Sequence, residues 1–283
     1  MSTKQNFFRH CVRHPLSALL RAVCVLAMLA VVGVLCLFVG HVLVRGVPNL
    51  SWKLFQIPYT SENVSMMPAI VNTLIVTGLS LLAAVPLGVG GAVYLAEYAK
   101  KGSKLVRLVR VTAETLSGIP SILYGLFGMM FFVITMRWGY SLLAGSLTLA
   151  VMILPLILRA SEEALLSVPE SYREGSFALG AGRLRTVARV VAPAAGPGIL
   201  AGVILAIGRV MGETAALIYT AGTVANIPQN LLSSGRTLAV HMFVLSGEGL
   251  HVEEAYATAV VLLALVLGVN ALSAFAAKKL TRG

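Results

Sequence analysis

Uncharged apolar stretches recur along this chain at lengths that match the thickness of a lipid bilayer. A helix that crosses the hydrocarbon core needs about 20 apolar residues. Five uncharged stretches reach that length, and a sixth is interrupted by Arg209 and Glu213. Because backbone polar groups in hydrocarbon must be paired within their own segment, each stretch is predicted to be a helix. The predicted spans cover residues 22–44, 70–94, 115–136, 138–158, 196–220 and 255–277.

The sequence therefore predicts an all-α, polytopic membrane protein with six transmembrane helices. Composition agrees, because 58% of the 283 residues are hydrophobic and only 12% are charged, whereas about 25% are charged in a typical soluble domain. We expect one transmembrane domain over residues 22–277, which includes a long loop at 159–195 after the fourth span. The tails cover residues 1–21 and 278–283.

The basic residues are unevenly distributed between the predicted loops. The net charge is +11, and most Lys and Arg residues lie in the two tails and in the loops after the second and fourth spans. The opposite side carries only Arg45, Lys53, Arg137 and Arg236. Basic residues accumulate in cytoplasmic loops, so both termini are predicted to be cytoplasmic. The membrane topology therefore explains the positive net charge, and a lipid bilayer rather than a nucleic acid is the expected partner.

The sequence lacks the residue constellations of common hydrolases and nucleotide-binding enzymes. It has no Asp, no H-E-x-x-H motif and no G-x-x-x-x-G-K-[ST] loop. Its three cysteines lack the C-x-x-C spacing of many zinc and redox sites. We predict no catalytic residue, no metal site and no cofactor. Any uphill transport would therefore take its energy from a partner protein or an ion gradient.

The loop at 159–195 has helix signals of its own. Pro169 suits a first helical position, and Glu174 favours the N-terminal part of a helix through the helix dipole. Gly180 and Gly182 predict a break, after which a second short helix is expected to end at Pro193. The pattern predicts an amphipathic hairpin near the inner membrane surface. A basic loop that rests on anionic lipid headgroups is the alternative.

The same loop resembles a cytoplasmic motif of ABC importer permeases, E-A-A-x-x-x-G followed by nine residues and I-x-L-P. Glu174, Gly175 and Ser176 stand at its first three positions and Gly180 at its glycine, and Pro193 ends it after the nine-residue spacer. The departures from the pattern are small or apolar residues. The resemblance implies that these five residues belong to the surface that couples the chain to a separate ATPase dimer.

Three further segments resemble phosphate-uptake permeases of the PstA/PstC pair, and the first favours the PstA type. They are YLAEY at 94–98, SGIPSILYGLFG at 117–128 and GRVMGETAAL at 208–217. The resemblance implies a type I ABC importer permease with the MetI-like fold, which imports inorganic phosphate across a bacterial cytoplasmic (inner) membrane. It also implies two further partners, a PstC-like second permease subunit and an extracytoplasmic phosphate-binding protein.

Two charged residues lie inside the fifth predicted span, where Arg209 and Glu213 share one helix face at i, i+4 spacing. A charge near the bilayer centre costs roughly 2.5–3.5 kcal/mol, so such residues face protein or a water-filled cavity. Arg209 is predicted to form part of an anion pathway, since a guanidinium offers forked donors to an oxyanion. Glu213 is expected to hold it in place. A purely structural ion pair is the alternative.

Several alternatives stay open at this level. The cargo could be sulfate, molybdate or another solute, and the permease dimer could be a homodimer. An ion-coupled secondary transporter, in which Glu213 carries a proton, is less favoured. Glu97 and Glu114, at the ends of spans, are expected to be solvated caps or subunit contacts.

Overall fold

The computed structural model describes residues 15–100 and 102–280, and within these ranges all regular secondary structure is helical. The predictions for residues 1–14, for Lys101 and for residues 281–283 lie outside the described residues. The helices are α1 (Pro15–Gly46), α2 (Met67–Val93), α3 (Lys104–Ser117), α4 (Ser121–Gly128), α5 (Leu142–Leu166), α6 (Glu170–Ala178), α7 (Arg183–Thr186), α8 (Ala192–Met211), α9 (Ala215–Ile218), α10 (Leu238–Glu248) and α11 (Val252–Leu280). Turns of π-helix extend α2 (Tyr94–Tyr98) and α4 (Met129–Thr135) and join α7 to α8 (Val187–Val191).

Five continuous helical segments of the described chain are long and apolar enough to cross a membrane. They are Leu19–Asn49, Met67–Tyr98, Leu142–Leu166, Arg183–Met211 and Val252–Phe275. A sixth crossing is formed if α3 and the extended α4 are counted as one bent span. The all-α, polytopic fold class predicted from the hydrophobic pattern is therefore confirmed.

The third predicted span, 115–136, differs from the structure because it is not one straight helix. The helices on either side of its break meet at an angle of 102°. Pro120 has no backbone N–H and disfavours the helical conformation of the residue before it. The first part of the bent pair, α3, carries Lys104, Arg107 and Arg110 and is amphipathic rather than apolar.

The fourth helix is shifted relative to its predicted span at 138–158. It begins at Leu142, where the Ser141 side chain accepts a hydrogen bond from the Ala144 N–H, and it continues to Leu166. The loop predicted to start at residue 159 therefore starts about two helical turns later. The charged end of α5 is stabilised by an ion pair between Arg110 Nη2 and Glu162 Oε1 at 2.6 Å.

The centre of the domain is formed by α2, α5 and α8, which pack against one another. Leu149 and Ile153 on α5 are fully buried. Small residues permit close helix contact: a Cβ at Gly88 would lie 2.8 Å from Ile157 Cγ2, and one at Gly202 would lie 2.6 Å from Ala160 Cβ. Such close packing holds helices together in lipid, where burial of apolar surface gives no driving force.

The segment between α9 and α11 is anchored to α2 by polar contacts. Asn72 Nδ2 donates hydrogen bonds to the carbonyl oxygens of Asn226 and Arg236, at 3.1 Å each. The Leu238 N–H donates to Thr73 Oγ1 at 2.8 Å. These contacts fix the start of α10, a helix of 11 residues that is too short to span a bilayer.

Candidate functional site

The segment that carries the ABC-permease motif folds as two short helices, α6 and α7, which we call the α6–α7 hairpin (residues 169–191). Gly180, between them, has a φ of +80°, a left-handed conformation that glycine adopts without strain. Ser176 Oγ lies 2.8 Å from Thr186 Oγ1 and joins the two helices. Glu174 and Gly175 are exposed on α6, where a partner protein could contact them.

Pro193 does not end the second helix of the hairpin, contrary to the sequence prediction. Helical structure is continuous from Arg183 to Met211, so the hairpin leads directly into the span formed by α8. Pro193 is tolerated because it occupies the first turn of α8, directly after the π-helical turn at Val187–Val191. The regular ladder of backbone hydrogen bonds is already displaced in such a turn.

The hairpin is attached to the membrane domain by a buried ion pair between Arg173 and Glu97. Arg173 Nη2 lies 2.6 Å from Glu97 Oε1, and the two side chains are only 10% and 7% exposed. Arg173 Nε also donates to Glu97 Oε1, at 3.1 Å. Hydrogen bonding to Glu97 raises the pKa of Arg173 further above its ordinary value.

Arg173 also binds the end of α5 and the turn that follows it. Its Nη1 donates to the Val168 carbonyl oxygen at 2.8 Å, and its Nη2 donates to the Leu165 carbonyl oxygen at 3.0 Å. The last carbonyl groups of a helix have no partner within the helix, so a guanidinium satisfies them well. One side chain thus links α6, α5 and the π-helical extension of α2.

The expectation that Glu97 is a solvated cap is therefore wrong, because its side chain is only 7% exposed. A subunit contact at Glu97 stays a prediction. Glu97 lies in the YLAEY segment, and the π-helical turn there directs it toward the hairpin. Glu114 is different, since its side chain is 72% exposed and lies 3.8 Å from Arg159. Arg173 and Glu97 are 76 positions apart in sequence, so no local sequence pattern predicts their contact.

The hairpin exposes several apolar side chains. Leu179 is 91% exposed and Leu184 is 74% exposed. Tyr172 and Phe177 on α6 are also exposed. An exposed apolar patch with charged residues beside it is typical of a protein-binding surface.

The structure places Arg209 and Glu213 on opposite sides of a helix break. The helix α8 ends at Met211, and Gly212 and Thr214 flank Glu213 before α9 begins. Glu213 Oε1 accepts a hydrogen bond from the Ala216 N–H at 3.1 Å, so it caps α9 instead of holding Arg209. Both residues are described, and no pair of their charged atoms lies within 4.0 Å. The predicted one-face arrangement of the pair is therefore wrong.

Arg209 is half-buried near the end of α8 and lies close enough to Tyr124 on α4 to act on it electrostatically. The preceding residue, Gly208, lies beside α11, since a Cβ built at this glycine would be 3.7 Å from Asn270 Nδ2. Arg209 is thus a cation among apolar helices, and no carboxylate of the described chain lies within 4.0 Å of its guanidinium.

Comparisons with known proteins agree with these features. Residues 84–282 match the family described as binding-protein-dependent transport system inner membrane component. The probable ABC transporter permease protein YqgI of Bacillus subtilis is 37% identical over 229 residues, which are 75% of this chain and 76% of that protein. The phosphate transport system permease protein PstA of Pasteurella multocida is 34% identical over 207 residues, covering 69% and 73%.

Solved structures show the same fold. A bacterial alginate ABC transporter, solved in complex with an alginate-bound periplasmic protein, matches with a TM-score of 0.70 and 15% identity, covering 96% of this chain and 98% of that one. The MetNI methionine ABC transporter matches with a TM-score of 0.55 and 23% identity, covering 85% and 95%. This protein therefore belongs to the family of binding-protein-dependent transport system inner membrane components, and it is a multi-pass permease subunit of an ABC importer with the MetI-like fold.

Proposed function

We propose that this permease carries inorganic phosphate across the bacterial inner membrane into the cytoplasm. Relatives named as phosphate transport permeases support this cargo, among them PstA 1 of Mycobacterium tuberculosis, 41% identical over 154 residues that cover 54% of this chain and 50% of that one. The solved structures with the same fold have titles that name other cargoes, so the fold alone does not select phosphate.

The observation that carries the proposal is the Arg209 guanidinium. Among the described residues, no carboxylate lies within 4.0 Å of it. The nearest carboxylate in sequence, that of Glu213, caps α9 instead. A guanidinium without a carboxylate partner can offer a forked pair of N–H donors to two oxygens of a phosphate. Glu213 then contributes indirectly, since it fixes the break that separates α9 from α8. We keep both residues in the proposed substrate pathway.

Coupling to an ATPase is proposed for the α6–α7 hairpin. Its exposed Leu179 and Leu184, with Glu174, Gly175, Ser176, Gly180 and Pro193 in or beside the same segment, would dock on an ATPase dimer. Because the hairpin runs directly into α8, a displacement on the ATPase side is carried to the end of the helix that holds Arg209. Arg173 carries the same displacement to α2 and α5.

The remaining partners complete the transport cycle. A PstC-like second permease subunit would enclose the pathway with this chain, and an extracytoplasmic binding protein would deliver phosphate at the outer face. ATP-driven motion of the helices would then alternate access between the two sides, as a rigid-body change between two states. This chain supplies the path and its anion contact, and ATP hydrolysis is left to the partner.

Labelled-phosphate uptake tests the proposal. Proteoliposomes would contain this chain with its co-purifying partners and the binding protein, with ATP on the ATPase side and sulfate as the competitor. We expect phosphate uptake that requires ATP and is unchanged by sulfate. Uptake of sulfate but not phosphate would overturn the cargo and keep the coupling surface, whereas uptake driven by a proton gradient without ATP would overturn both.

A further inference from the structure

A further cationic side chain, that of Arg236, is buried where α10 begins. Arg236 directly precedes Thr237, the residue at the N-terminal cap of α10, and is only 4% exposed. Its guanidinium carbon lies 4.8 Å from the centre of the Tyr59 ring, so the charge rests against an aromatic face. A cation–π contact of this kind stabilises the positive charge, but the Tyr59 ring offers no hydrogen-bond acceptor to the N–H groups in the plane of the guanidinium.

Two donor atoms of the Arg236 guanidinium are not matched by acceptors within the described chain. Its Nε and Nη2 atoms are buried and have no hydrogen-bond partner there. Glu62, in the same loop as Tyr59, is exposed and lies beyond 4.0 Å from the guanidinium. A buried cation without a counter-charge is costly, which favours a bound anion over an empty arrangement.

Two more buried polar groups lie on the first turn of α10. Thr237 is 2% exposed and its Oγ1 has no partner, although this residue stands at a position where a side-chain oxygen commonly caps the helix. His241 follows one turn later, since its N–H donates to the Thr237 carbonyl oxygen at 2.8 Å. The His241 ring is fully buried and packs edge-on against Tyr59 at 6.2 Å. Its ring nitrogens interact with the Val64 backbone but make no hydrogen bond of good geometry.

The electrostatics at the N-terminus of α10 favour a negatively charged ligand. Burial, and then the positive charge of Arg236, lower the pKa of His241 to about 3 against an opposing interaction with the Val64 backbone, so the imidazole is neutral at pH 7. The N-terminus of α10 adds the positive end of a helix dipole. An anion at this point would accept from Arg236, Thr237 and His241 together, with the Tyr59 ring covering it.

We propose that Arg236, Thr237 and His241 form a binding site for one small inorganic anion at the N-terminus of α10. The ligand class is phosphate-like oxyanion or halide, and its source is either the transported cargo or the surrounding salt. This site is separate from Arg209 in sequence and in secondary structure. It therefore does not depend on the cargo proposed above, although occupation by phosphate would place a second contact for the cargo on this side of the domain.

Hydrogen exchange followed by mass spectrometry tests this site in the assembled transporter without its binding protein. The Arg209→Gln background removes any anion effect of the proposed pathway residue. Sodium phosphate and sodium chloride are compared with sodium gluconate, whose anion is bulkier. We expect slower exchange in peptides covering residues 59–66 and 237–242, by about tenfold when the anion is at ten times its dissociation constant.

Thr237→Val is the decisive variant, because it keeps the shape of the side chain and removes only the hydroxyl donor. If an anion binds, the valine variant loses most of the protection by phosphate or chloride, and Arg236→Gln loses all of it. Thr77→Val is the matched control, since Thr77 Oγ1 is also buried without a partner but belongs to α2 and is not part of the proposed site. This control should keep the full anion effect.

The outcomes separate the possible ligands. Protection by phosphate alone supports a cargo site, and equal protection by phosphate and chloride supports a structural anion site. The proposal is overturned if neither anion slows exchange in these peptides, or if the protection is the same in Thr237→Val and in the parent. Because hydrogen exchange and not uptake is measured, a negative result here does not contradict the proposed transport of phosphate. A negative uptake experiment likewise does not contradict this anion site.

Discussion

The guanidinium of Arg209 is half-buried in an otherwise apolar helix, with no carboxylate of the described chain within 4.0 Å. At the scale of the single residue, we infer that its charge serves a ligand that arrives from outside this chain. A charged hydrogen bond contributes about 1.5–3 kcal/mol, so its loss should be visible in transport.

Replacing Arg209 tests this interpretation directly. Arg209→Gln should lower ATP-dependent phosphate uptake about 10- to 100-fold, because about 1.4 kcal/mol corresponds to a factor of ten. Uptake is measured in proteoliposomes with equal amounts of assembled complex. Arg45→Gln, an exposed position at the end of α1, serves as the control and should keep normal uptake. Unchanged uptake by Arg209→Gln would remove this residue from the pathway.

His241 makes stability depend on pH. Its pKa is lowered to about 3 by burial and by Arg236, against an ordinary value of 6.5. Between these values the unfolded chain binds a proton that the folded chain does not, so stability is full above pH 6.5 and falls as the pH decreases toward 3. The slope from this one group is at most about 1.36 kcal/mol per pH unit.

His241→Gln should therefore flatten the acid side of the stability profile. The midpoint temperature of unfolding is measured between about pH 7 and about pH 4.5, the range in which the linkage acts. His41→Gln, at an exposed position of α1, is the control and should retain the slope of the parent. Parallel profiles for His241→Gln and the parent would contradict the assignment.

At the scale of the element, the α6–α7 hairpin is held by one buried ion pair and continues into α8. Glu97→Gln leaves the Arg173 charge buried without its partner, which typically costs about 3–5 kcal/mol. We expect this variant to transport less phosphate per ATP hydrolysed, because the hairpin can then move without α2. The ratio is measured in proteoliposomes from parallel assays of uptake and ATP hydrolysis.

Two variants control this experiment. Glu170→Gln removes a carboxylate that lies 3.5 Å from Arg173 and is 69% exposed, so it should change the ratio little. Glu97→Asp keeps the charge and should restore part of the coupling. If Glu97→Gln keeps the parental ratio, the ion pair holds the fold without transmitting motion.

The exposed apolar face of the hairpin makes a separate prediction. Leu179→Asp places a charge at a side chain that is 91% exposed, so the fold should tolerate it while a docked ATPase should not. Co-purification of the ATPase with this chain should fall strongly. Leu250→Asp, at a position 83% exposed between α10 and α11, should leave co-purification unchanged. Equal retention by both variants would place the ATPase surface elsewhere.

At the scale of the whole molecule, the basic residues predict which side of the membrane each loop occupies. Single cysteines are introduced at Lys104 and Gln229, both exposed, after the three native cysteines are replaced by serine. An impermeant maleimide should label the Lys104→Cys variant in inverted vesicles and the Gln229→Cys variant in right-side-out vesicles. Labelling of both from the same side would contradict the predicted orientation of the chain.

The hydrophobic pattern by itself determined the class of this protein. Backbone groups cannot stay unpaired in lipid, so long uncharged stretches have to become helices, and their spacing fixes a polytopic all-α fold. The motif around Glu174 and Gly180 indicated the ABC importer family, because its residues lie within one continuous segment. Local signals such as these can be read from the sequence because each depends only on neighbouring residues.

Contacts between distant segments were decided only by the tertiary structure. The pairing of Arg173 with Glu97 joins residues 76 positions apart, and Arg236 meets Tyr59 across most of the chain. The break after Met211, which turns Glu213 away from Arg209, is equally invisible in the i, i+4 spacing. A charge in a membrane protein takes whichever partner the packed helices bring to it, and that partner is set by packing rather than by sequence distance.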